Sequence, residues 1–296
     1  MRRTRDLVPA DRGLQARMVV AAVLTPLVVL AAVAAVVLLL PLKFAIAVGI
    51  AAVIGIARAV RARNEMDRGR SLARESAPEL HDAVERLCAL ADLPKPDLVL
   101  DEERQPNSWI IAPIGKRPQL HVTRGLLAAL TPEELEAVVA HELAHLLNRD
   151  AMVMTVVGTP GAVLLEGGRQ FWGAWWMWFG NGLALAIGWV AQFGTSALSR
   201  YRELAADAGA VALTGRPATL ASALVKVSGG IDRVPISDLR AVAGRDSFHL
   251  LPTDESDFAP LRTHPALKRR LERLERMERD LHAGGLAYRP ADEPPA

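Results

Sequence analysis

Long uncharged apolar runs alternate along this chain with polar stretches of helical period, and two of the runs come first. Met18 to Leu40, MVVAAVLTPLVVLAAVAAVVLLL, contains no charged residue. At about 1.5 Å per helical residue it covers the roughly 30 Å hydrocarbon core of a bilayer, and Pro26 is tolerated in such a helix. The run is too long for a signal-peptide core and lacks a small-residue cleavage site, so a retained anchor is expected. Pro41 and Lys43 lead into a shorter run, FAIAVGIAAVIGIARAV, which spans if Lys43 and Arg58 extend their heads to the two interfaces. The competing reading of this pair is a buried hairpin in a soluble core.

Two more runs follow a polar stretch. AMVMTVVGTPGAVLLEGG is interrupted by Gly158, Pro160 and Gly161, whereas FWGAWWMWFGNGLALAIGWVAQFGTSALS is long. Trp172, Trp175, Trp176 and Trp178 form an interfacial belt at one end of the latter. Together these runs predict at least a membrane-embedded hairpin. Full crossing and a re-entrant pair share this composition.

The polar stretches read mainly as helix. Residues 61–150 predict helices, one short extended segment, QLHVT, and a proline-rich connection from Pro94 to Pro118. Ser199 to Ala212 is expected to be helical. HPALKRRLERLERMERDLH sets Leu267, Leu271, Leu274 and Leu281 on one face, and its charges are expected to be solvated. The closing ADEPPA reads as a disordered tail, and no internal repeat is present.

Charge adds topology. The formal net charge of +2 over 296 residues is too small to argue for nucleic acid. Arg2, Arg3, Arg5, Arg12 and Arg17 precede the first pair of runs, Arg58, Arg61, Arg63, Arg68 and Arg70 follow it, and Lys43 alone marks its turn. The positive-inside rule then places the N-terminus and everything after Arg58 in the cytoplasm. The one cysteine, Cys88, permits no internal disulfide and sits among leucines at helical spacing, so it is expected to be a buried packing residue.

The candidate chemistry begins in TPEELEAVVAHELAHLLN. Thr131 is the predicted N-cap, Pro132 the first helical residue, and Glu134 completes a capping box. No proline or glycine interrupts the run behind them, so His141 and His145 share one helical face. Two imidazoles there can take adjacent corners of a tetrahedral zinc, with Glu142 beside the metal to accept a proton from water. A catalytic site needs a third protein ligand. Ala151 excludes a histidine six residues after His145, Asp150 is expected to face elsewhere, and Glu166 lies at a hydrophobic edge. The best candidates are Glu203 and Asp207 in SALSRYRELAADAGAVAL, four apart on a second helix. Glu203 is the expected ligand, and Asp207 the expected acceptor for the outer N–H of a ligating histidine. The competing reading of these two carboxylates is surface pairing with Arg200 or Arg202. Both sets of residues must lie on one side of the bilayer, so the intervening runs must cross an even number of times.

At this point the sequence resembles the HtpX-like integral-membrane zinc metalloproteases and, more distantly, the CAAX prenyl endopeptidases. The resemblance runs from the first hydrophobic pair to about Arg276 and rests on HELAHLLNRD, SRYRELAADAGAV, the extended PNSWIIAP before QLHVTRGLL, and RTHPALKRRLERL. It implies a mainly α integral-membrane protein: a zincin-type helical protease domain (HExxH plus Glu) with a short β element and about four hydrophobic membrane segments. The expected order is a cytoplasmic tail over 1–17, a transmembrane hairpin over 18–60 and the first part of the protease domain over 61–151. A membrane-embedded hairpin over 152–198, the second part of the protease domain over 199–282 and a tail over 283–296 follow.

The resemblance further implies one zinc ion per chain held by His141, His145 and Glu203, with Glu142 as general base and Asp207 behind a ligating histidine. His264 of THP matches a family histidine expected to stabilise the oxyanion, although a histidine before proline reads equally well as a helix cap. Asn107 falls on the family's substrate-binding edge segment, where Ser108 and Trp109 depart from the usual smaller and Phe-type residues. His81, His121, His249 and His282 match nothing in the family pattern. Expected substrates are misfolded membrane proteins and cytoplasmic segments, cleaved at the inner face of the plasma membrane. The alternatives are a zinc peptidase maturing one specific membrane or modified-peptide partner, and a non-catalytic membrane scaffold with a structural zinc.

Overall fold

The computed structural model describes residues 70–112, 117–150, 178–231 and 264–283, with isolated helical positions between 16 and 38 and between 153 and 165. The first two hydrophobic runs and the third fall largely outside these residues, as do Trp172, Trp175, Trp176, Glu166, His249 and the final tail. Among the described residues no helix is long and apolar enough to cross a membrane. The chain divides into two compact units. One comprises Met1–Gln15, Gly69–Ala151 and Ser199–Ala296, and the other Ala16–Arg68 and Met152–Leu198.

The first unit is mostly helical with a small sheet. Its strands are β1 (Arg70–Ser71), β2 (Asp97–Asp101), β3 (Ser108–Ile111) and β4 (Gln119–Thr123), in the order β1-β2-β4-β3. β2 runs parallel to β4, while β1 on β2 and β3 on β4 are antiparallel, with Ser108 opposite Val122 and Trp109 opposite His121. QLHVT is therefore a strand as expected, but the proline-rich connection holds two more. β2 carries a continuous apolar core, Leu98–Leu100, between two aspartates, a pattern too short to declare a period. Pairing on both sides makes it a strand.

The helices are α1 (Pro78–Ala91), α2 (Arg124–Ala129), α3 (Pro132–Leu147), α4 (Trp178–Thr214), α5 (Pro217–Ile231) and α6 (Leu267–His282). α3 starts where its capping box predicts. The Thr131 Oγ1 accepts from Glu134 N–H, and Glu134 Oε2 accepts from Thr131 N–H at 2.9 Å. Its residues from Ala137 to His145 are all buried, His141, Glu142 and His145 included. α1, α5 and β3 all pack on it, and α6 packs on α5. The core includes Leu80, Val84, Leu120, Val138, Leu143, Val211, Leu224 and Leu274. Cys88 is buried in it, and burial pushes its thiol up to about 11, so it stays a protonated packing group.

Ser199–Ala212 is not a separate helix. It is the last part of α4, which starts within the fourth apolar run at Trp178. Gly209 lets this part approach α3: a Cβ there would lie 2.7 Å from the Cβ of Ala144, inside any tolerable contact. Close approach of these two backbones places α4 carboxylates against α3 imidazoles.

Candidate metal centre

α3 presents His141 and His145 one turn apart, both buried, with Nε2 atoms 3.2 Å from each other and rings nearly perpendicular at 89°. α4 contributes Glu203, whose Oε2 lies 3.5 Å from His141 Nε2 and whose Oε1 lies 3.5 Å from His145 Nε2. Corners of a tetrahedron with metal–ligand distances of about 2.0–2.1 Å stand roughly 3.4 Å apart. The two imidazole nitrogens stand near that separation and each faces one oxygen of the Glu203 carboxylate, so the three side chains fit one zinc. The rest of the chemistry agrees. Glu203 Oε2 is buried without a hydrogen bond, an orphaned acceptor that a cation among these three side chains would satisfy. Among the described residues, His141, His145 and Glu203 are the group able to hold a metal ion.

Behind His141, Asp207 Oδ1 lies 3.0 Å from Nδ1. Asp207 is itself gripped by Arg270, with Nε to Oδ2 at 2.9 Å and Nη2 to Oδ1 at 2.6 Å. Burial opposes the Asp207 charge, yet Arg270 and His141 outweigh it and hold the carboxyl down at about 2. Burial likewise opposes the charge on His141, but the neighbouring Asp207 and Glu203 carboxylates raise it to about 9. Glu203 follows the same balance: His264, His145 and His141 overcome its burial and keep it well below the usual carboxylate range.

Asp150 does not face elsewhere. Its Oδ2 lies 2.7 Å from His145 Nδ1, and Arg202 Nε lies 3.2 Å from the same oxygen. Helical periodicity fails to place it because α3 has ended: Arg149 adopts a left-handed φ of 56° and turns the chain back.

Glu142 is buried beside the pair of imidazoles. Burial raises its carboxyl, against the opposing influence of His141, His145 and Ser108, and Ser108 Oγ donates to its Oε1 at 2.9 Å. Ser108 arrives from β3, the outer strand of the sheet among the described residues. Its segment is anchored by the buried Thr123 hydroxyl, which accepts from Asn107 N–H at 2.9 Å and donates to Gln105 O at 2.7 Å. Asn107 is buried, with Oδ1 accepting from Ser108 N–H. Trp109 is buried against His121, ring centroids 4.9 Å apart. His264 is buried just before α6, its Nδ1 3.4 Å from Glu203 Oε2.

The charges of α6 are not all solvated. Arg270 is fully buried, and its Nη1 also approaches Glu203 Oε2 at 3.7 Å. The signal was present, since Arg270 lies three residues after Leu267 and four before Leu274 on the apolar stripe. Among the described residues, the remaining histidines stand apart from this group. His81 Nε2 is 3.1 Å from Leu72 O, His121 Nδ1 pairs with Asp101 at 2.9 Å, and His282 is exposed.

Residues 74–278 match the profile of peptidase family M48. The chain is 41% identical over 222 residues to Protease HtpX homolog 2 of Methanosarcina acetivorans, covering 69% of this chain and 74% of the relative. It is 42% identical over 224 residues to Protease HtpX homolog of Moorella thermoacetica, covering 69% and 74%. Protease HtpX homolog 1 of Streptomyces coelicolor is 40% identical over 232 residues, covering 72% and 75%. Among solved structures, S. mikatae Ste24p is 17% identical with a TM-score of 0.46, over 70% of this chain and 52% of that one.

Proposed function

The chain belongs to peptidase family M48 and is a metalloprotease, and from that premise we propose that it is a membrane-bound, zinc-dependent endopeptidase. His141, His145 and Glu203 are its metal ligands, Glu142 its general base, and Asp207 the residue that orients His141. The observation that carries this reading is the meeting of two α3 imidazoles and one α4 carboxylate at separations a tetrahedral zinc requires.

Zinc held there would polarise the scissile carbonyl and make the attacking water more acidic. Glu142 takes the proton from that water as its oxygen bonds to the carbonyl carbon, then returns it to the departing amine nitrogen as the C–N bond breaks. Burial raises this carboxyl, which suits a group that must both take and give the proton. Ser108 holds one carboxylate oxygen and so limits its rotation. His264, buried near Glu203, stabilises the oxyanion. Asn107 leads into β3, the outer strand of the sheet among the described residues, and contributes there to binding an extended peptide.

The apolar runs and their arginine-rich flanks support an anchored enzyme with its site facing the cytoplasm. Substrates of this reading are misfolded membrane proteins and cytoplasmic segments, cleaved in quality control. Purified protein in detergent tests the chemistry. Glu142→Gln is expected to keep one zinc per chain and lose cleavage, whereas His141→Ala loses both. Undiminished, chelator-sensitive proteolysis by Glu142→Gln would end the assignment. A panel of unfolded membrane proteins beside single defined peptides separates broad clearance from maturation of one partner.

A further inference from the structure

Asp150 is fully buried one turn past the last metal-facing residue of α3, where a regular helix would have pointed it away. The backbone explains its position. α3 ends at Leu147, Asn148 caps it, and Arg149 takes the left-handed conformation that usually falls to glycine after a helix. A residue with a side chain adopts it at a cost that later contacts can offset. Those contacts are the Asp150 bond to His145 and the ion pair with Arg202.

We propose that Asp150 is the positioning residue for His145, held in place by Arg202; this rests on the zinc-site reading above. A neutral imidazole whose Nδ1–H is committed to a carboxylate carries its lone pair on Nε2, the atom that faces His141 and Glu203. Arg202, itself buried, faces the buried Asp150 carboxylate with Nε 3.2 Å from Oδ2 and holds it in place. The arrangement repeats the one on the other imidazole: Asp207 sets His141 and Arg270 sets Asp207, while Asp150 sets His145 and Arg202 sets Asp150. Arg202 immediately precedes Glu203, so the same contact ties the third donor's helix to the end of α3.

The test uses the full chain in detergent as wild type, Asp150→Asn, Asp150→Ala and His141→Ala. Zinc affinity is measured by chelator competition, and the cobalt-substituted proteins are compared by their visible d–d bands. Thermal unfolding of the metal-free proteins reports stability separately. Zinc affinity is expected to fall about 10- to 100-fold in Asp150→Ala and less in Asp150→Asn, which keeps an acceptor oxygen, with altered cobalt bands in both. A lowered melting temperature with wild-type zinc affinity and cobalt bands would reduce Asp150 to a helix-end staple and overturn the proposal. Should Asp150→Ala fail to fold, Asp150→Asn decides by the same two readouts. A wild type that takes up no zinc sinks the site reading and this inference with it. A wild type that binds zinc no better than Asp150→Asn, while His141→Ala loses it, sinks this inference alone.

Discussion

Gly209 faces Ala144 so closely that a Cβ on the glycine would come within 2.7 Å of the alanine methyl. Ala144 directly precedes His145, and Gly209 lies two residues after Asp207, so this contact sets the spacing between the imidazoles and the carboxylates. Gly209→Ala is expected to push the helices apart by about an ångström, and a shift of that size costs on the order of 100-fold in rate. Zinc affinity should fall with it. Adding Ala144→Gly should restore much of both, measured as kcat/KM and chelator competition. A single mutant as active as wild type would show that the spacing is set elsewhere.

Ser108 Oγ donates to the Glu142 carboxylate, and a hydrogen bond to the charged form lowers a carboxyl's pKa. Ser108→Ala removes that influence, so the carboxyl that burial already raises moves further up. If Glu142 is the base, as proposed, it is then less ionised at neutral pH, and the acidic limb of kcat/KM against pH should move to higher pH. The loss, several-fold at neutral pH, should shrink as pH rises. A uniform loss across pH would instead point to altered substrate binding at β3.

Arg270 and Asp207 form a buried, two-point ion pair behind His141. Arg270→Ala leaves a buried carboxylate beside the site and a cavity in α6, and should destabilise the folded chain by about 3–5 kcal/mol. Arg270→Lys cannot reproduce the paired geometry and should recover only part of that loss. Chemical unfolding of the three proteins decides. An alanine variant within about 1 kcal/mol of wild type would contradict the pairing as described.

Glu134 joins α3 to α5, accepting from Ser222 Oγ and Lys226 Nζ at 2.7 Å each while closing the capping box. Its burial favours the neutral acid, but Lys226, the Thr131 N–H and Ser222 outweigh that and lower its pKa. A carboxyl lowered on folding stabilises above its unfolded pKa, near 4.3, and loses that effect as pH falls through the folded value. Wild type should therefore exceed Glu134→Gln in melting temperature at pH 7, with the gap closing below about pH 4. A gap independent of pH would mean that the carboxylate charge does not matter there.

Much of α3 was legible from the chain alone. Thr131, Pro132 and Glu134 mark its start by local chemistry, and the interval between His141 and His145 matches one helical turn, so neither feature depends on distant residues. The apolar runs were equally plain, since uninterrupted hydrophobicity needs no partner to be recognised. β2 was not legible, because three apolar residues between aspartates declare no period until β1 and β4 pair with them.

Sequence by itself determined which helices carry the imidazoles and the carboxylates, because periodicity, caps and chain breakers act over a few neighbouring residues. Only the tertiary structure decided that Asp150 turns back to His145, that Arg270 sinks beneath Asp207, and that Ser108 reaches Glu142. Each of these is a charged or polar side chain buried against a partner that regular helix or strand periodicity does not place beside it. Burial of such a group is tolerable only where that partner waits, and where it waits is fixed by packing, including the close approach at Gly209.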